Sequence, residues 1–219
     1  MANGYIAYDG PSMINGEPIK GIVTGTKNDS VNPKTGVMLQ LTIMPMVRPS
    51  IAVKNGADVA VCGSCPKRPS VAKANGTAPC YVNTWQAPDS IFKAEYPTEP
   101  VDSPKPMRLG AWGEPTALPF EVIQGLISKG HTGYTHRWKE CDSRFKAILM
   151  ASVDTAEEYA EATAAGWRTF RARDASEEII SGEITCPASK EAGNRVQCKD
   201  CMLCQGAGRK AKNITIINH

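Results

Sequence analysis

Seven of the eight cysteines stand in two groups, and only Cys141 is alone. Thiols gathered in this way are the side chains best placed to do chemistry. Cys198-Lys199-Asp200-Cys201-Met202-Leu203-Cys204 spaces three thiols two residues apart, and Cys186 lies twelve positions before the first of them. A tight loop with this spacing folds its sulfurs around one centre. Four thiolates suit zinc in a closed tetrahedral shell and equally suit a cubane iron–sulfur cluster, so the spacing leaves both metals open. Gly193, Gly206 and Gly208 flank the run, as a backbone curling around sulfur requires.

The other group is Cys62-Gly63-Ser64-Cys65-Pro66 with Cys80-Tyr81, reached after a basic, glycine-containing loop. The preceding Val59-Ala60-Val61 reads as a strand running into a metal-binding turn. Three thiols leave one coordination position. His131, His136 or Cys141 could fill it in a structural zinc site, or it could stay open for a substrate or cofactor.

Disulfides are the competing use of so many cysteines, but they belong to oxidising compartments. Residues 1–10 show no basic segment followed by an apolar stretch, and no apolar run approaches the roughly eighteen residues that span a bilayer. The expectation is a cytoplasmic protein without a membrane partner. A charge of +3 in 219 residues is too small by itself to argue for nucleic acid, and 42% apolar and 21% charged residues are ordinary globular usage.

The elements that must position these residues read as a single domain over 1–219. Residues 1–60 are a β-rich N-terminal part, with apolar runs at Ile22-Val23 and Val37–Ile43 separated by the turn Asn32–Gly36. Residues 61–106 form a cysteine- and proline-rich connector. Residues 107–219 are an α/β repeat region ending in the cysteine cluster: strands at Met107–Trp112, Thr132–Trp138, Ala147–Val153, Trp167–Ala172, Ile184–Cys186 and Asn213–Ile217, with a helix at Thr116–Ser128. A second helix is capped by Asp154 or Thr155, with Glu157 or Glu158 where a capping box needs an acid, and Gly166 closes it. Strands alternating with helices imply an α/β fold with a mostly parallel sheet, either open or an incomplete (β/α) barrel.

In such folds the carboxyl ends of the strands meet the ligand. That rule collects Glu114, Tyr134, Thr135, His136, Ser152, Asp154, Arg171, Arg173 and Cys186. His136 and Arg171 are the candidates for work on a substrate. Asp154 reads first as a helix cap, and Trp112, Trp138 and Trp167 read as core.

Arg108–Pro115, Thr132–Trp138, Gly166–Arg171 and the stretch from Cys186-Pro187 to Cys204 together resemble a family of uncharacterised phage and plasmid proteins over nearly the whole chain. A more distant similarity is to radical S-adenosylmethionine enzymes, which use a partial barrel, three cluster-binding cysteines after the first strand and a Gly-Gly-Glu-Pro motif after the second. This resemblance implies Cys62, Cys65 and Cys80 as cluster ligands with Tyr81 beside the last. It implies Gly113, Glu114 and Pro115 as the cofactor motif, Ser152 as a further cofactor contact, and Cys186, Cys198, Cys201 and Cys204 as an auxiliary cluster. Trp112 stands where that motif has its first glycine.

Two functions follow as expectations. One is a radical enzyme with an iron–sulfur cluster and S-adenosylmethionine, acting on a small molecule near His136 and Arg171. The other is a zinc-stabilised accessory protein that binds nucleic acid or a host protein through Lys67-Arg68 and Arg209-Lys210-Ala211-Lys212.

Overall fold

A computed structural model describes residues 2–30 and 32–218. Three strands, β1 (Gly4–Pro11), β2 (Pro18–Thr24) and β3 (Leu39–Pro45), form an antiparallel meander. The chain then enters four short helices: α1 (Pro49–Asn55), α2 (Val59–Cys62), α3 (Pro69–Asn75) and α4 (Ala87–Lys93). β4 (Met107–Trp112) returns parallel to β3. A 3-10 turn (Pro115–Ala117) and α5 (Phe120–Leu126) lead to β5 (His131–Thr132), which pairs parallel with β4. These strands make a sheet in the order β1-β2-β3-β4-β5.

The second sheet begins one residue later. β6 (Tyr134–Thr135), β7 (Met150–Val153), α6 (Ala156–Ala164), β8 (Thr169–Arg173), β9 (Glu183–Thr185), α7 (Cys198–Cys201) and β10 (Asn213–Ile217) follow in sequence. The strands are all parallel, in the order β6-β7-β8-β10-β9. Neither sheet closes into a barrel. Gly133 is the link between the sheets, and only hydrogen fits there: a Cβ would lie 2.5 Å from Leu149 Cδ2 and 3.1 Å from Leu109 Cβ.

One apolar core spans both sheets, from Ile19, Val23, Leu41 and Ile43 through Leu109, Trp112 and Ile123 to Leu149, Val153 and Trp167. The three tryptophans read as core are all buried in it. A smaller cluster of Met150, Cys186, Ala188, Cys204 and Ile214 lies against the second sheet. Among the described residues, no helix is long and apolar enough to cross a membrane.

Several elements differ from the sequence reading. Val59–Cys62 is helical, with Cys62 N–H bonded to Asp58 O at 2.8 Å and Gly63 N–H to Val59 O at 2.9 Å. A short buried apolar run has no periodicity to separate strand from helix. The connector holds α3 and α4, because Pro69 and Pro88 occupy first-turn positions, where the missing N–H costs nothing and the fixed φ favours a helix. The helix expected at Thr116–Ser128 starts later, since Pro119 separates the 3-10 turn from α5. The strand expected at Thr132–Trp138 is broken at Gly133 and stops at Thr135.

Candidate metal centre

The cysteine loop after β3 is built by backbone turns and one ion pair. Gly63 ends α2 at φ 54°, and Cys65 N–H bonds back to Cys62 O at 3.0 Å. Arg68 holds this loop closed. Its Nη2 and Nε reach Asp58 Oδ1 and Oδ2 at 2.7 and 3.0 Å, and its remaining donors take the Gly63 and Gly56 carbonyls, each at 3.2 Å. A planar guanidinium satisfied by a buried carboxylate and two carbonyls is a rigid clamp. Cys80 N–H bonds to Lys67 O at 2.7 Å, which returns the third cysteine to the same loop.

The sheet delivers the partners from its carboxyl ends. Glu114, after β4, is tied to α2 by a 2.7 Å bond from its N–H to Val61 O. Its buried carboxylate accepts His136 N–H at Oε1 (3.1 Å), while Oε2 is buried without a hydrogen-bond partner among the described residues. His136, after β6, turns Nδ1 to Cys65 Sγ at 3.5 Å and to Glu114 Oε1 at 3.8 Å. Its other nitrogen, Nε2, lies 3.8 Å from Asp154 Oδ2 after β7, and Asp154 Oδ1 is paired with Lys67 Nζ at 3.2 Å. One ligand atom each from Cys65, Glu114 and His136 lies within 4.8 Å of the others. Among the described residues, this is the one such trio of His, Cys, Asp or Glu side chains.

The electrostatics are those of a site short of positive charge. Burial pushes the Cys62 thiol well up, and nearby Cys65, Asp58, Glu114 and Cys80 push it further. Cys80 is likewise raised, first by burial. Burial opposes a charge on His136, but the Cys65 thiol and the Glu114 carboxylate outweigh it and hold the imidazole well above its usual value. Sulfur and carboxylate crowded in a buried space favour a cation among them.

Comparisons with protein-family models, curated proteins and solved structures find no match. The chemistry of the centre is therefore read from its own atoms.

Gly113 sets the approach of Glu114. It adopts φ 85°, and a Cβ there would meet Ile43 O at 2.7 Å and Ile43 Cβ at 2.8 Å. Gly113→Ala is expected to cost on the order of 1–3 kcal/mol of stability and to move Glu114 away from His136. Denaturant midpoints and metal content of the variant check this.

The other site candidates are placed as follows. Tyr81 is exposed, its hydroxyl accepting Arg108 Nη2–H at 2.8 Å. Pro115 opens the 3-10 turn after Glu114. Ser152 lies on β7 opposite Phe170 of β8. Arg171 is buried and gives its donors to Glu183, Glu177 and the Glu178 carbonyl, none of them in the cysteine group. Lys67 and Arg68, read as a basic stretch, are spent on Asp154 and Asp58.

Cys186, Cys198 and Cys204 pack against the second sheet, but no three of the four C-terminal sulfurs lie within 4.8 Å of one another, so the four-thiolate shell expected from their spacing is not closed. Cys204 is buried with Tyr134 packed against its cluster, and the Tyr134 ring stands edge-on to Phe170 at 4.6 Å. Burial pushes the Cys204 thiol up to about 12, with Cys186, Cys198 and Cys201 close enough to add to the rise. Arg168, unforeseen in the sequence, binds the carbonyls of Leu203 (2.6 Å), Gly206 (3.2 Å), Ala211 (3.0 Å) and Lys212, and so fixes the loop that carries Cys204. Cys198 and Lys199 donate their N–H groups to Lys34 O and Thr35 O, both at 3.0 Å. All eight cysteines are free thiols.

Proposed function

We propose that this chain is a metalloprotein that holds a zinc-type divalent ion at the carboxyl ends of its parallel strands and uses it on a small molecule. The supporting observation is one distance. Zinc bonds of about 2.3 Å to sulfur and about 2.0 Å to nitrogen, at a tetrahedral angle, separate the two ligand atoms by about 3.5 Å. Cys65 Sγ and His136 Nδ1 are 3.5 Å apart. The donor set fits too: sulfur, imidazole nitrogen and carboxylate stand together, and the orphaned Glu114 Oε2 offers a lone pair that no other described residue takes. Cys65, His136 and Glu114 would hold the ion, with Cys62 and Cys80 alongside. Zinc bound there would act as a Lewis acid toward a substrate oxygen or water. The protein's own contribution is to fix Glu114 and His136 through the Gly113 turn and to keep the Cys65 loop closed through Arg68. Cys186, Cys198, Cys201 and Cys204 form a second, structural centre in this reading.

A second reading draws on the topology. The cysteine loop follows β3, the Gly113-Glu114-Pro115 turn follows the next parallel strand, and parallel strands continue through β7 and β8, in the manner of an incomplete barrel of radical S-adenosylmethionine type. In that case Cys62, Cys65 and Cys80 would hold an iron–sulfur cluster through sulfur alone.

Anaerobic purification with zinc, iron and acid-labile sulfide assays decides between them. The expected result is a colourless protein with zinc, losing about one equivalent in both Cys65→Ser and His136→Ala. Iron and sulfide in matching amounts, with reductive cleavage of S-adenosylmethionine, would establish the second reading instead.

A further inference from the structure

We infer that Asp154, itself steadied by Lys67, is a positioning residue that orients the His136 ring and so presents Nδ1 as a metal ligand. The inference rests on the proposed ion at Cys65 and His136.

The local geometry of α6 releases Asp154 for this role. Thr155 is the actual cap, its Oγ1 accepting Glu158 N–H at 3.2 Å, and Glu158 Oε2 reaches back to Asp154 N–H at 2.9 Å. Only the backbone of Asp154 takes part in the start of the helix. Its side chain turns the other way, with Oδ2 3.8 Å from His136 Nε2 and Oδ1 3.2 Å from Lys67 Nζ.

An imidazole that binds a metal through Nδ1 carries its proton on Nε2. An ion on Nδ1 would sit beside Cys65 Sγ at 3.5 Å and Glu114 Oε1 at 3.8 Å, and the ring's other nitrogen then lies 3.8 Å from the Asp154 carboxylate. Carboxylates commonly orient metal-bound histidines in this way, and losing one typically weakens metal binding 10–100-fold. Lys67 adds a second tie. It lies just past Cys65 and has its carbonyl bonded to Cys80 N–H, so the residue that anchors Asp154 belongs to the cysteine loop itself. Imidazole orientation and thiol position are thereby coupled through one salt bridge.

The test uses the full chain, zinc titrated against a chromophoric chelator, and nitrogen-15 NMR of the His136 ring in the zinc-loaded protein. Asp154→Ala is expected to weaken zinc binding 10–100-fold and to shift the His136 Nε2 resonance. Asp154→Asn retains an acceptor oxygen and is expected to recover most of the affinity. A merely structural role would lower stability equally in both variants and leave the Nε2 resonance of the loaded protein unchanged. Wild-type protein that binds zinc through His136, with Asp154→Ala binding within twofold and an unshifted Nε2 resonance, overturns this inference alone. Wild-type protein whose zinc content is indifferent to His136→Ala overturns the parent reading and this one together. If Asp154→Ala fails to fold, Asp154→Asn and Lys67→Met carry the test: unchanged affinity in Lys67→Met with an unshifted Nε2 resonance in both counts against it.

Discussion

Glu183→Ala is expected to remove about 3–5 kcal/mol of stability, the range found when one partner of a buried ion pair is deleted. Arg171 and Glu183 are two parallel strands apart, on β8 and β9 with β10 between them, and both side chains are sealed from solvent at 1% and 0% exposure. The pair is bidentate, Nε to Oε1 and Nη2 to Oε2, each at 2.9 Å, and Oε2 also accepts Ile180 N–H at 2.9 Å. Without Glu183 the guanidinium keeps its charge, since arginine does not deprotonate in proteins. Its remaining contacts are the half-exposed Glu177 and one carbonyl, which cannot replace a buried carboxylate. Arg171→Met should cost less, because the stranded Glu183 can take up a proton. The double variant Arg171→Met/Glu183→Leu should be more stable than Glu183→Ala, since both charges leave together. Urea unfolding of the three variants, at matched slopes, measures this. A loss below 1 kcal/mol in Glu183→Ala would mean that Arg171 finds its counter-charge elsewhere.

The strand-end rule and the structure part company at Arg171 for a physical reason. Sequence order put Glu114, His136, Asp154 and Arg171 at the ends of successive strands, and parallel pairing does bring the first three to one place. The rule has no means of seeing an acid that arrives later in the chain, and Glu183 intercepts Arg171. Lys67 was read as part of a basic stretch for the same cause, because its partner Asp154 lies in another element. What was legible was local: the Thr155 cap with Glu158, the strands at Met107–Trp112 and Asn213–Ile217, and the turn between β2 and β3. What was not legible depended on context. The apolar run Val59-Ala60-Val61 is a helix because Asp58 and Arg68 close its start and its exit. β1 escaped because Gly4, Gly10 and Pro11 disguise a strand whose register with β2 shifts between Ile6 and Tyr8.

Loss of the proposed C-terminal centre, which would have to draw Cys186, Cys198, Cys201 and Cys204 around one ion, should have the other large effect. From Cys186 to Lys212 regular structure is limited to the four residues of α7, and the apolar side chains packed there are mostly the cysteines themselves with Ala188 and Leu203. Ordering a residue costs about 1–2 kcal/mol, which so little apolar burial cannot offset. A metal shared by four thiolates can, with structural zinc worth about 10–16 kcal/mol in small domains at neutral pH. Cys198→Ser and Cys204→Ser are each expected to lose about one metal equivalent and to expose the segment to trypsin at Lys190, Arg195 and Lys199 at least about tenfold faster. Cys204→Ser should be the more damaging, because Cys204 is buried whereas Cys198 is half-buried, and a hydroxyl is costlier to bury than a thiol. Cys141→Ser serves as the control: its thiol, raised to about 11 chiefly by burial, belongs to neither group, and its loss should leave metal content unchanged. The core from Ile19 to Trp167 is built separately, so far-ultraviolet dichroism should retain its sheet signal while the tail opens. Equal metal content in Cys198→Ser and wild type, or cleavage no faster than in Cys141→Ser, would mean that Arg168 and its four carbonyls hold the segment without any ion.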